Sequence, residues 1–219
     1  MALAFAKERP ACVLVCPPLF DEHNKFRRQM VEVMRRLDLA GIDSVLPDLP
    51  GCNESVRPLK EQSLSGWRAA TQAAAVHFGA THILSLRAGA LLAPASLPGW
   101  GYVPATGSQM LRSMLRARLL ASREAGVMED KDTLAETARA KGLELGGWHI
   151  GPQLFRDLES AAFPDAPGQR VIDQGAVGGG GLWLRAEPDE DPEQADALAA
   201  IVAVELADSA NSGERTGRA

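Results

Sequence analysis

The chain has 219 residues, 46% of them hydrophobic, and a formal net charge of −5. That length suits one substantial core, the negative balance leaves no electrostatic footprint for nucleic acid, and no apolar run approaches the roughly 18 residues of a membrane span. Cys12, Cys16 and Cys52 are an odd and sparse set, which indicates reduced thiols in a cytoplasmic protein and not a disulfide framework.

The N-terminal stretch MALAFAKERPACVLVCPP lacks a basic n-region and a flanked Ala-x-Ala site, so no signal peptide is expected. Residues 11–16, ACVLVC, are a short apolar run between charge and Pro17-Pro18, and predict the first buried strand. In 23–40 a helical stripe carries Phe26, Met30, Val33, Met34 and Leu37, and Gly41 stops it. DSVLPDLPG gives a second strand ending near Asp48. SLSGWRAATQAAAVHFG gives a helix capped at Ser63 or Ser65 and stopped by Gly79. THILSL is a third strand, followed by a small-residue turn and a helix-like pattern. This alternation predicts a parallel sheet.

Beyond residue 95 the pattern loosens. GWGYVPATG reads as a short strand, SQMLRSMLRARLLAS as an amphipathic helix with Arg112, Arg116 and Arg118 outside, and 129–141 as a charged helix. LELGGWHIG is strand-like, Pro152 opens a further helix, QRVIDQ is a short strand, and the glycine run 178–181 leads to LWLRAE, expected as the last strand. Residues 191–207 close the fold as a helix, and 208–219 form a polar tail expected to be disordered.

Two segments fall where a doubly wound sheet keeps its chemistry, at the carboxyl ends of its strands. In THILSLRAGALLAP, Ser85 and Gly89 hold the flanking places of a G-x-S-x-G elbow, while the apex residue is Arg87. In DLPGCNES, residues 48–55, Asn53 stands where the D-L-x-G-x-G-x-S turn of many α/β-hydrolases has its second glycine, and Asn tolerates left-handed backbone.

A third segment narrows the resemblance. CPPLFDEHNKFRRQM is similar to a P-P-F-x-E-E-x-N-K-x-R-R segment of the exosortase A system-associated hydrolases, in the subgroup usually called hydrolase 2, and Pro17, Pro18, Glu22, Asn24, Lys25, Arg27 and Arg28 match it. That subgroup also has DLLGCGDS, LRLGALLA and SGxQFLxQxLRxR-like segments, similar to 48–55, 86–93 and 106–119 here. The likeness covers most of residues 11–125, with a weaker echo at GLWL. It implies an α/β-hydrolase-like fold: a mostly parallel sheet of about six strands, helices on both faces, and a small helical cap over about 107–165 in a single domain ending at 207. The usual first strands are expected to be missing or reduced, since the first core strand starts at 11. The family is bacterial and tied to exopolysaccharide and protein sorting.

A working triad needs a nucleophile, a base and an orienting carboxylate. A guanidinium stays protonated, so Arg87 supplies no nucleophile. Ser85 lies two residues early, no His follows the last strand, and His149 sits ahead of it; Asp173 could be the acid, with nothing to orient. The expectation is a catalytically degenerate hydrolase fold that binds a small anionic or acyl ligand, or a protein partner. In the binding version, Arg87 holds an anion with the backbone N–H groups of Ala88 and Leu19. In the structural version, Arg87 pairs with Glu22, and a ligand that displaces Glu22 reconciles the two. The alternatives are an ester or thioester hydrolase with a non-standard site of Arg87, Glu22 and Asp48, and a structural subunit, a homodimer included. No metal or cofactor is expected. Cys52, Cys12 and Cys16 read as core thiols, and His77 and His82 lie at the amino edge of the sheet.

Overall fold

The computed structural model describes residues 1–216, with side chains through residue 209. Its centre is a six-stranded sheet of β1 (Ala2–Phe5), β2 (Cys12–Cys16), β3 (Asp43–Pro47), β4 (His82–Leu86), β5 (Gly99–Tyr102) and β8 (Gln169–Ile172), in the order β1-β3-β2-β4-β5-β8. Five strands run parallel, and β1 alone runs antiparallel, pairing Ala2 with Pro47 through Phe5 with Ser44. The expected first core strand is β2. The four-residue strand before it was not expected, because it is an edge strand with only partial burial and carries no apolar alternation of its own.

Alternation along the buried strands sorts the core into two layers. Cys12, Leu14 and Cys16 of β2 face one layer, and Val13 and Val15 face the other. The Val13 side is covered by α1 (Asp21–Leu39) and α7 (Pro192–Thr216). The opposite side is covered by α2 (Leu64–His77) together with an insertion between β5 and β8. The expected stripe of α1 is the buried one: Phe26, Met30, Val33, Met34 and Leu37 all lie inside. Ser63 caps α2, its hydroxyl accepting from the Gly66 N–H at 3.1 Å.

The insertion comprises α3 (Gly107–Glu124), α4 (Lys131–Lys141), the strands β6 (Leu143–Leu145) and β7 (Trp148–Ile150), and α5 (Pro152–Ser160). The LELGGWHIG segment is therefore two strands of a separate hairpin. Its two-residue loop, Gly146-Gly147, has φ 57° and 82°, the positive pair that a type I′ turn demands. After β8 comes the short helix α6 (Gln174–Val177).

Two expectations fail locally. The elbow strand leads into a six-residue 3-10 turn, Arg87–Leu92, and not an α-helix. Pro94 forces the extended conformation seen at Ala93 (φ −60°, ψ 125°), which stops helix growth. The LWLRAE segment is no strand: Leu182–Leu184 is a 3-10 turn, Trp183 packs inward on Phe26, and Leu184 is exposed. At its C-terminus, α7 continues to Thr216, past the expected end at 207, and residues 217–219 of the expected tail lie outside the described residues. No helix among the described residues is long and apolar enough to cross a membrane.

Phe26 is fully buried between α1 and the sheet. Phe26→Ala is expected to cost about 3–5 kcal/mol in urea unfolding, whereas truncating the exposed Val76 should stay within about 0.5 kcal/mol.

Candidate functional site

Among the described residues, four of the five non-glycine residues with positive φ sit just past the carboxyl ends of four adjacent parallel strands. They are Phe20 (54°) after β2, Asn53 (49°) after β3, Arg87 (53°) after β4 and Val103 (42°) after β5. Such backbone costs of order 1–3 kcal/mol per residue and clusters where structure serves a site. For the β-branched Val103 it is a true outlier. Asn53 has the left-handed backbone expected of it.

Arg87 crowns the elbow. Gly89 makes the turn feasible, since a Cβ there would stand 2.3 Å from the Pro17 carbonyl oxygen. Ser85 points away from the crest, fully buried, and donates its hydroxyl to the Trp100 carbonyl at 3.2 Å. The Arg87 side chain is engaged on three sides. Its Nε and Nη2 donate to Glu22 Oε2 and Oε1 at 3.1 and 3.3 Å, and its Nη1 donates to the Val103 carbonyl at 2.9 Å. The guanidinium carbon lies 4.1 Å from the centre of the Trp183 ring, within cation–π range. The side chains are 14% and 22% exposed for Arg87 and Glu22, so the pair is shielded without being dry. The pair expected between Arg87 and Glu22 is thus present. The strained carbonyl and the indole that complete its cage were not legible in sequence.

Beside the pair lies a cavity of about 280 Å³. Leu19, Glu22 and Lys25 line one wall, Met110 and Met114 of α3 another, and Trp183 a third. Arg87 is behind Glu22 and Trp183, off the wall. Ala88 is buried in the apolar core. A 3-10 turn and not an α-helix follows the crest, so the dipole of an elbow helix expected to favour an anion there is missing. Lys25 pairs with Asp21 one turn away at 2.9 Å.

Asp48 does not join this wall. Its Oδ1 accepts from Asn53 Nδ2 at 3.1 Å, and its residue lines a separate cavity with Met1 and Pro47. Asn53 Nδ2 also reaches His23 Nε2 at 3.0 Å, and Arg27 Nη1 approaches the same nitrogen at 3.4 Å. His23 is 5% exposed. Burial, chiefly, and then the Arg27 charge press its pKa down to about 4, against a backbone hydrogen bond to Pro18 and the Asp48 charge. The ring is a neutral acceptor whose lone pair is already taken. His23 escaped the sequence analysis, although it sits three residues before Phe26 on the buried stripe.

The remaining candidates lie elsewhere. His149 is exposed on the β6–β7 hairpin, 3.0 Å from Glu144, and Asp173 is exposed past β8. Cys52 is buried, and burial with the Asp48 charge raises its thiol to about 12, far from a nucleophile's range. Burial also raises Cys16, and both Cys16 and Cys12 belong to the core. His82 stacks on Trp100, with ring centres 5.9 Å apart, and burial lowers its pKa.

No protein-family model and no curated protein sequence matches the chain. Solved structures do match in shape. Est1E from Butyrivibrio proteoclasticus with bound ferulic acid aligns at TM-score 0.55 and 15% identity, covering 78% of this chain and 73% of that one. A putative hydrolase from Agrobacterium vitis S4 gives 0.52 and 15%, covering 92% and 90%. Mouse alpha/beta hydrolase domain-containing protein 10 gives 0.53 and 13%, covering 96% and 93%. The chain has the α/β-hydrolase fold.

Two outcomes follow from this geometry. Glu22→Ala strands a shielded cation. A fully buried pair would lose about 3–5 kcal/mol, and the partial exposure here reduces that to about 1–3 kcal/mol, read by chemical denaturation. His23 has a folded pKa below its unfolded value of 6.5, so the unfolded chain binds the extra proton between those values. Stability is full above about pH 6.5 and falls by about 3 kcal/mol as pH drops to about 4. His23→Gln should flatten that slope in pH-dependent unfolding.

Proposed function

We propose that this chain is a catalytically degenerate α/β-hydrolase-fold protein, in which the elbow serves binding and not acyl transfer. The observation that carries it is the caged guanidinium at the crest. Arg87 holds the place of the nucleophile, stays protonated at any working pH, and has its fork occupied by Glu22 and the Val103 carbonyl. No imidazole stands free beside it among the described residues: His23 is spent on Asn53 and Arg27, and His149 is on the hairpin. Without base or nucleophile, the general acid–base and covalent steps of the fold's chemistry have no agent.

The same geometry leaves a ligand-sized space. The cavity beside Glu22 has methionine, leucine and indole walls with three charged groups, Asp21, Glu22 and Lys25, at one end, a pattern suited to a small acyl compound with a polar head. The insertion at about 107–165 acts as its cap, through Met110 and Met114. The sequence segments at 17–28, 48–55 and 86–93 support placing the chain with the bacterial exosortase A-associated hydrolase 2 group and its exopolysaccharide context. Three free, buried cysteines support a cytoplasmic location.

Incubation with p-nitrophenyl esters and acyl-CoA thioesters tests the proposal. Rates should match the buffer blank, and a fluorophosphonate probe should label no serine. Turnover that vanishes in both Arg87→Ala and Glu22→Ala would replace it with an active enzyme of unusual composition.

A further inference from the structure

The cavity and the ion pair share two residues. Glu22 and Trp183 line the cavity on one side and hold Arg87 on the other. Glu22 is therefore a plug: a carboxylate of the protein sits between the open space and a guanidinium. Resting on the binding function proposed above, we propose that the ligand is a small aliphatic monocarboxylate, and that its carboxylate replaces Glu22 on Arg87.

Three features support an exchange rather than simple addition. First, the Arg87 fork is already bidentate to Glu22, and Nη1 is fixed on Val103. A second carboxylate beside Glu22 would meet like charge at close range, so the incoming group must take the seat. Second, the cation cannot be left bare. At 14% exposure an unpaired guanidinium is costly, which demands a one-for-one substitution by a group with the same planar two-oxygen geometry. Third, the displaced Glu22 has somewhere to go. It lies in the first turn of α1, is 22% exposed, and stands three residues before Lys25, a cation on the cavity wall. Residues at that spacing are neighbours on a helix. Lys25 is now held by Asp21, whose side chain is 61% exposed and free to return to water. Each of the two cations keeps one carboxylate partner before and after, the additional negative charge falls on the solvated Asp21, and no proton need move.

The apolar walls set the rest of the ligand. Leu19, Met110 and Met114 suit an alkyl chain, and the flexible thioethers adapt to its length.

The test is calorimetric titration with hexanoate and with hexanamide, its neutral isostere. The wild type should bind hexanoate better than hexanamide. Glu22→Gln, which keeps the size of the plug and removes its charge, should raise hexanoate affinity at least tenfold and leave hexanamide unchanged. The double variant Arg87→Gln/Glu22→Gln keeps a neutral hydrogen-bonding pair in the cage and should bring hexanoate down to the hexanamide level. Thermal unfolding of each variant establishes that it is folded, and the wild-type comparison and the double variant decide the matter even where Glu22→Gln alone is unstable. Equal binding of the two compounds by the wild type overturns the exchange and leaves the binding pocket standing. So does a hexanoate preference that survives the double variant but disappears in Lys25→Met. Absence of binding by any form removes the pocket proposal and the exchange with it.

Discussion

A guanidinium at the crest of the elbow governs the architecture of this sheet edge. It cannot lose its proton, so folding must surround it with acceptors and a polarisable face before it can be shielded from water. The partners come from three distant parts of the chain: Glu22 from the first turn of α1, the Val103 carbonyl from beyond β5, and Trp183 from the 3-10 turn near the C-terminal helix. The last of these explains why LWLRAE does not extend the sheet. Trp183 is drawn down onto Arg87 and Phe26, and a strand would have carried it away.

The backbone of the elbow and its chemistry are separable. Gly89 against the Pro17 carbonyl, buried Ser85 and the positive φ of Arg87 reproduce the strained turn that presents a nucleophile in α/β-hydrolases. That turn is dictated by close packing of β2 against β4, not by the side chain at its crest. The turn can therefore persist while a charged group with a different task occupies the apex. Positive φ at Phe20, Asn53 and Val103 puts the same kind of backbone at the neighbouring strand ends.

Much of the site was visible in the linear pattern, and the losses have definite causes. Arg87, Glu22 and their mutual attraction could be inferred, since both follow parallel strands and opposite charges at one sheet edge pair. Asp48 was grouped with them on the same ground, but its side chain turns to Asn53 and another cavity. Strand ends fix only the edge, not the rotamer. His23 was missed even though its position on the stripe of α1 was legible, because a histidine one turn before an apolar run looks like a solvated helix start until Asn53 folds over it.

The sequence by itself determined the alternating strands and helices, the buried stripe of α1, the glycine stops, the elbow outline and the permanent charge at its apex. These are local properties, set by periodicity, turn chemistry and the ionisation of one side chain. Only the tertiary structure decided that β1 joins the sheet antiparallel, that Trp183 and the Val103 carbonyl close the cage, and that Met110 and Met114 make a cavity beside it. Each of those depends on contacts between segments far apart in the chain, whose free energy no local pattern encodes.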